Sequence, residues 1–148
     1  MMVQPFVTVN YDFPCQSKEE VYAWIGRQEG RTRLQSEAIE KKFMQRESVG
    51  SIQIAAAVVL PHLEWDALAA SRIYFIHLRT ALHPWSDQID EVKVVIAVLV
   101  KINETQIVKQ SIVSLMRNLA NDTIANQLRT ANTKEAFMLT AQKLCSKN

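Results

Sequence analysis

Three runs rich in Val and Ile in the middle of the chain set the strongest limit on its fold. They read "SIQIAAAVVL" (51–60), "RIYFIHLR" (72–79) and "EVKVVIAVLV" (91–100), and Pro, charged or turn residues bound each of them. Runs of this length and composition predict β-strands. Because the third run is apolar on both faces, we expect it to lie centrally in a sheet.

Helical patterns precede this strand block. Ser17 begins a capping box and predicts a helix over about 17–28, which Gly30 would end. Thr32 is placed to cap a second helix, and Gly50 to close it.

Helical patterns also follow the strand block. A long amphipathic pattern starts at Asn103, a short helix is predicted over about 122–130, and Thr133 is placed to cap a final helix. Helices before and after a block of strands predict an α/β fold, with a mixed central β-sheet flanked by helices on both faces. The length of 148 residues is typical of one domain, so we expect a single domain over residues 1–148.

Composition excludes several classes of protein. Lys and Arg total 17 against 15 for Asp and Glu, and they are spread along the chain, which argues against nucleic acid as a partner. The apolar runs are far shorter than the ~20 residues of a membrane helix, so no membrane insertion is expected. Cys15 and Cys145 form no CxxC motif and no signal segment opens the chain, which favours a cytoplasmic protein without disulfides.

The usual motifs of metal and nucleotide sites are absent from the sequence. The three histidines form no HxxxH or HxH pair, and with only three glycines the chain has no Gly-rich phosphate loop. We therefore expect no metal and no cofactor. No GxSxG elbow occurs, although spacing alone does not exclude a site built from a nucleophile and a histidine.

Two of the histidines have positions that suggest structural roles. If 72–79 is a strand, His77 shares a face with Ile73 and Phe75, and we expect a hydrogen-bonded histidine half-covered by the core. His83 precedes a proline and is expected in an extended turn, with Trp85 filling the edge of the core.

His62 follows Pro61 at the end of the first apolar run. The end of a strand is where a rigid scaffold presents a side chain at the surface. We therefore expect His62 at the C-terminal end of a strand, in a shallow and partly exposed depression.

The segment that leads to His62 resembles a known signature. "RESVGSIQIAAAVVLPH", residues 46–62, is similar without gaps to the signature of the fructose/mannitol-type (type 2) enzyme IIA domain of the bacterial phosphoenolpyruvate:sugar phosphotransferase system (PTS). The similarity continues from Tyr11 onward through "SKEEV", the Pro84-Trp85 pair, "VKVVIAVLV" and the C-terminal segment. The matching positions are Arg46, Glu47, Gly50, Ser51, Ile54, Pro61 and His62.

This resemblance implies a phosphocarrier in sugar transport. His62 would receive a phosphoryl group from the carrier HPr and pass it to a IIB component of a sugar permease, and Arg46 would stabilise the transferring charge. A largely neutral imidazole suits this nucleophilic role. A solvated arginine at a helix end is the alternative for Arg46. Leu63 and Trp65 would contribute to the partner surface, with a core position as the alternative for Trp65.

The chain also departs from the family pattern. The threonine that follows Ser51 in the family is Ile52 here, and Ala55 and Ala57 replace glycines, so we expect a narrower pocket in which Ser51 could support the phosphoryl group.

The second histidine of many family members is missing as well. The corresponding position is near Val108, and Gln106 or Gln110 could donate a hydrogen bond in its place. These departures favour an alternative function: a IIA-like regulatory or interaction module with weak or lost phosphotransfer, which would dock a transcription regulator or a permease. A third possibility is an unrelated α/β domain that binds a small ligand.

Overall fold

The computed structural model of the chain describes residues 6–145 and contains the helices expected on both sides of the strand block. In chain order the elements are β1 (Val7–Phe13), α1 (Lys18–Glu29), α2 (Arg33–Ser48), β2 (Gln53–Ala55), β3 (Val58–Val59), β4 (His62–Trp65), β5 (Arg72–Leu82), β6 (Val92–Lys101), α3 (Gln106–Leu119), α4 (Asp122–Thr130) and α5 (Lys134–Cys145).

All the strands found within residues 6–145 belong to one mixed sheet. Its order is β1-β5-β6-β3-β2, and β4 also pairs with β6. Strands β1 and β5 are parallel, as are β3 and β4 with β6, whereas β5–β6 and β2–β3 are antiparallel. The prediction that 91–100 lies centrally is confirmed, because β6 has neighbours on both sides.

Helices cover both faces of this sheet. Two core clusters result, one under α1 and α2 and the other under α3, α4 and α5. Residues of β6 alternate between the two clusters, with Val95 and Ala97 in the first and Val94 and Ile96 in the second. The predicted α/β class with helices on both faces is confirmed.

Side-chain caps define where the helices begin. Ser17 Oγ accepts from Glu20 N at 3.2 Å, and Thr32 Oγ1 accepts from Gln35 N at 3.1 Å. The N–H of Gly30 donates to the carbonyl of Gly26 at the end of α1. The predicted helices over 17–28 and 122–130 thus differ from the observed ones by at most one residue at each end.

The composition of the first apolar run predicted one strand, but the run forms two. Residues 53–59 fold back on themselves as β2 and β3, with a turn at Ala56 and Ala57. Ala57 has a positive φ of 60°, and its carbonyl accepts from Lys93 N at 2.8 Å. The prediction was wrong because a run of small apolar residues carries no turn signal, whereas the turn is held by hydrogen bonds to the distant strand β6.

Strands β3 and β4 follow one path along β6 with an interruption at Pro61. Val58 lies opposite Val94 and His62 opposite Val98, in the same register. Pro61 has no N–H to donate, but its carbonyl accepts from Val98 N at 2.9 Å. His62 therefore begins β4, and the expectation that it stands at the C-terminal end of a strand is wrong.

Candidate functional site

His62 lies where β4 begins, beside the C-terminal end of α2. The residue is half-buried, and its Nε2 accepts a hydrogen bond from Arg46 Nε at 3.4 Å. Its Nδ1 is buried and has no hydrogen-bond partner within residues 6–145. A ring nitrogen that accepts a hydrogen bond carries a lone pair, and that of Nε2 points at the Arg46 guanidinium. Nε2 is therefore the nitrogen suited to act as a nucleophile.

Arg46 reaches His62 from the last turn of α2. Its Nη1 donates to the carbonyl of Gly50 at 3.1 Å, and this contact together with the one to His62 sets the direction of the guanidinium. The side chain is half-buried, and no carboxylate forms an ion pair with it in the part of the chain that the structure describes. Its positive charge is thus available to an anionic group that binds at His62.

Glu47, the next residue, points towards other elements and is held by three donors. Tyr22 Oη donates to Oε1 at 2.6 Å, while Trp85 Nε1 and Lys18 Nζ donate to Oε2 at 2.9 and 3.2 Å. The Glu47 side chain is only 8% exposed. Burial and the hydrogen bond to Glu47 raise the pKa of Tyr22, so its hydroxyl remains a donor. Glu47 matches the family signature, but no role for it was predicted, because its partners lie far away in sequence.

The supporting residues suggested by the sequence lie at the surface. Ser51 is exposed, and its Oγ accepts from Gln53 N at 3.2 Å. Gln106 and Gln110 are exposed in the first half of α3. Among the described residues, none of these three side chains forms a hydrogen bond with His62.

Leu63 and Trp65 belong more to the core than to an open surface. Leu63 is buried in the cluster under α1 and α2, so its expected place in a partner surface is wrong. It alternates with His62 along β4 and therefore faces inward. Trp65 is half-buried against the same cluster, with Lys42 Nζ 5.1 Å from the ring centroid, so it packs on the core while its contribution to a partner surface stays a prediction.

His77 is buried in the second core cluster. It shares a face with Ile73 and Phe75, as predicted, and its ring stacks on Tyr11 at 4.6 Å and meets Phe137 edge-on at 5.0 Å. The expected hydrogen bonding is confirmed in part, because the backbone of Arg129 and Ala131 hydrogen-bonds to the ring while Nε2 has no partner within the described chain. The expected half-cover is wrong, because the residue is buried. Burial lowers the pKa of His77, and the nearby Lys93 acts in the same direction.

The surroundings of His83 and of the two cysteines do not indicate a catalytic role. His83 is exposed and lies 3.0 Å from Asp90, whereas Trp85 is buried at the edge of the core as predicted. Burial raises the pKa of Cys15 to about 11 and that of Cys145 to about 12, which keeps both thiols protonated.

Residues 6–145 contain neither a cluster of metal ligands nor a helix able to span a membrane. No group of three or more His, Cys, Asp or Glu side chains lies close enough to hold a metal ion. No helix combines the length and the apolar character needed to cross a membrane.

Fold and site together define the class of this protein. It is an α/β domain with a mixed sheet, in which a half-buried histidine presents Nε2 to an arginine that has no carboxylate partner in the described chain. Residues 6–143 match the family described as "Phosphoenolpyruvate-dependent sugar phosphotransferase system, EIIA 2". The chain belongs to this family.

Individual relatives agree with this assignment. A nitrogen regulatory protein of Klebsiella oxytoca is 30% identical over 126 residues, which cover 82% of this chain and 76% of that protein. The crystal structure of nitrogen regulatory protein IIA-Ntr from Neisseria meningitidis has a TM-score of 0.71 at 18% identity and covers 95% of this chain and 97% of its own.

Two solved structures of the mannitol branch have the same fold. IIA mannitol from Escherichia coli has a TM-score of 0.63 at 16% identity, covering 89% of this chain and 94% of its own. A complex of IIA mannitol with phosphorylated IIB mannitol from the same organism has a TM-score of 0.62 at 15% identity, covering 89% and 92%.

Proposed function

We propose that this chain is a cytoplasmic phosphocarrier of a bacterial sugar phosphotransferase system. His62 Nε2 accepts a phosphoryl group from phospho-HPr and passes it to the IIB component of a sugar permease of the fructose or mannitol type. The observation that carries the proposal is the contact between His62 Nε2 and Arg46, together with the burial of Nδ1. The fold shared with a IIA protein solved in complex with phosphorylated IIB supports this choice of partner.

The transfer uses few groups of this chain. The lone pair of Nε2 attacks the phosphorus of the donor's phosphohistidine, a new P–N bond forms, and the P–N bond of the donor breaks. Arg46 Nε first releases Nε2, and the guanidinium then turns to the phosphoryl oxygens, whose charge it stabilises. Ser51, Gln106 and Gln110 contribute less in this scheme, because none of them bonds to His62 in the free protein.

The test is labelling with phosphoenolpyruvate, enzyme I and HPr, followed by measurement of the intact mass. We expect the unaltered protein to gain one phosphoryl group and His62→Gln to gain none. Arg46→Ala should label more slowly by one to a few powers of ten, as when a charge-stabilising donor worth about 2–4 kcal/mol is lost. A folded wild-type protein that takes no phosphate over hours would rule out the carrier function.

A regulatory module is the second candidate, and two observations favour it. The relatives include nitrogen regulatory proteins, and no histidine follows His83 in the sequence. In this role phosphorylation of His62 is slow or absent, and the surface around it docks a regulator or a permease. Transfer from the labelled protein to purified fructose-type or mannitol-type IIB would support the carrier, whereas labelling without any onward transfer would support the regulatory module.

A further inference from the structure

The carboxylate of Glu47 holds together three parts of the molecule near the candidate site. Lys18 and Tyr22 belong to α1, whereas Trp85 lies in the connection between β5 and β6. The aromatic partners also pack on each other, with ring centroids of Tyr22 and Trp85 5.8 Å apart at 89°. Glu47 thus ties the last turn of α2 to two separate elements.

Little else anchors this end of α2. The buried residues of the helix are Ile39 and Phe43, and Phe43 lies three residues before Arg46, with Met44 partly buried against the same core cluster. The segment Ser48–Ser51 that follows Glu47 is exposed, and the chain becomes buried again only at Ile52. Helix ends fray unless a contact holds them. Glu47 is therefore the last buried side chain that fixes α2 before the chain leaves the helix.

Arg46 depends on this anchor. Adjacent residues of a helix point about 100° apart, so Glu47 faces α1 while Arg46 faces β4. We propose that Glu47 is a positioning residue: its contacts with Lys18, Tyr22 and Trp85 fix the last turn of α2 so that Arg46 stays within reach of His62. This inference rests on the proposed phosphocarrier function, in which Arg46 stabilises the transferring charge.

Glu29 provides a matched control. It is also a buried carboxylate at a helix end, its side chain is 9% exposed, and it accepts from Tyr74 Oη and, at 3.3 Å, from Arg72 Nε. Because Glu29 pins α1 to β5 and contacts neither Arg46 nor His62, its loss should weaken the fold without disturbing the site.

The test compares Glu47→Gln and Glu29→Gln in the full chain by labelling from phospho-HPr. The glutamine amide leaves one of the donors around Glu47 without an acceptor, and we expect about tenfold slower labelling at saturating phospho-HPr. Glu29→Gln should lose a similar amount of thermal stability yet label at the wild-type rate. Equal slowing in both variants, or none in Glu47→Gln, would overturn the proposal.

A double substitution tests whether Glu47 acts through Arg46. Added to Arg46→Ala, Glu47→Gln should slow labelling by less than about twofold, because the side chain that it positions is gone. A further tenfold loss would mean that Glu47 acts by another route. Should Glu47→Gln fail to fold, Trp85→Phe removes one donor but keeps an aromatic side chain, and it should also slow labelling.

Nuclear magnetic resonance separates this inference from the function on which it rests. Arg46→Ala removes the hydrogen bond to His62 Nε2 and should change the chemical shift of that nitrogen. Glu47→Gln should change it in the same direction, and Glu29→Gln should not. If the wild-type protein takes no phosphate, the carrier function fails while this comparison still decides the role of Glu47, and an unchanged shift in Glu47→Gln refutes it.

Discussion

His62 and His77 show how the same side chain acquires different properties from its surroundings. Both lie on strands next to β6, opposite Val98 and Val94 respectively. His62 is half-buried and meets an arginine, whereas His77 is buried between Tyr11 and Phe137. The first arrangement leaves a nitrogen available for reaction, and the second keeps a neutral ring inside the core.

The burial of His77 predicts a pH-dependent stability. Burial lowers its pKa in the folded protein, so the unfolded chain takes up a proton first, at a pH of about 6.5. The stabilisation is therefore complete above that pH and is lost as the pH falls towards the lower pKa of the folded state. His77→Phe should make the free energy of unfolding less dependent on pH between about 7 and about 5. Denaturant unfolding at several pH values gives the free energy of unfolding as a function of pH. The same pH dependence in the variant and the wild type would contradict the prediction.

The hairpin of β2 and β3 contains a residue with a strained backbone, and we expect its replacement by glycine to stabilise the fold. Ala57 adopts the left-handed conformation, with a φ of 60°, which glycine adopts without a steric penalty. Ala57→Gly should raise the free energy of unfolding by about 0.5–1 kcal/mol. Ala56→Gly, at the neighbouring turn residue, is the control and should lower it, because Ala56 has an ordinary φ. If both substitutions changed the free energy of unfolding equally, the φ of Ala57 would not explain the change.

The pair of helices α1 and α2 depends on a close backbone approach. A Cβ atom on Gly26 would lie 2.5 Å from the carbonyl oxygen of Ser36, which belongs to the backbone of α2. Gly26→Ala should therefore push the helices apart and cost about 1–3 kcal/mol of stability. Gly50→Ala is the control, since the nearest atom would be 3.6 Å away, on Arg46. Thermal unfolding of both variants checks this, and equal losses would contradict it.

Local signals account for the elements that the sequence predicted well. Three helices begin just after Ser17, Thr32 and Thr133, whose side-chain oxygens accept from the backbone N–H three residues on. Strand β6 was recognisable because it is apolar on both faces. These features act within a few residues and are visible in any single sequence.

The elements that were missed depend on contacts that are distant in sequence. Strand β1 was not predicted because the alternating pattern of Val7–Phe13 is short, although it contains residue types common in strands; parallel pairing with β5 completes it. The turn at Ala57 is fixed by hydrogen bonds from Lys93 and Val94. In the candidate site, the resemblance of residues 46–62 to the family signature pointed to His62 and Arg46, but the partners of Glu47 could be found only in the folded chain.

At the scale of the whole molecule, the candidate site lies where strand β4 meets the C-terminal end of α2. Strand β4 brings His62 to the position opposite Val98 on the central strand, and the end of α2 brings Arg46 to the same point. Neither His62 nor Arg46 fills either core cluster. Substitutions there should thus leave the fold intact, which makes a loss of phosphoryl transfer interpretable as a loss of chemistry.

The most direct measurement is the identification of the nitrogen that carries the phosphoryl group after labelling with phospho-HPr. Coupling between phosphorus and the ring nitrogens of isotope-labelled protein distinguishes Nε2 from Nδ1. Because Nδ1 of His62 is buried and Nε2 meets Arg46, we predict a single phosphorus–nitrogen bond, at His62 Nε2. Phosphate on His62 Nδ1, or on His77 or His83, would contradict this account of the site.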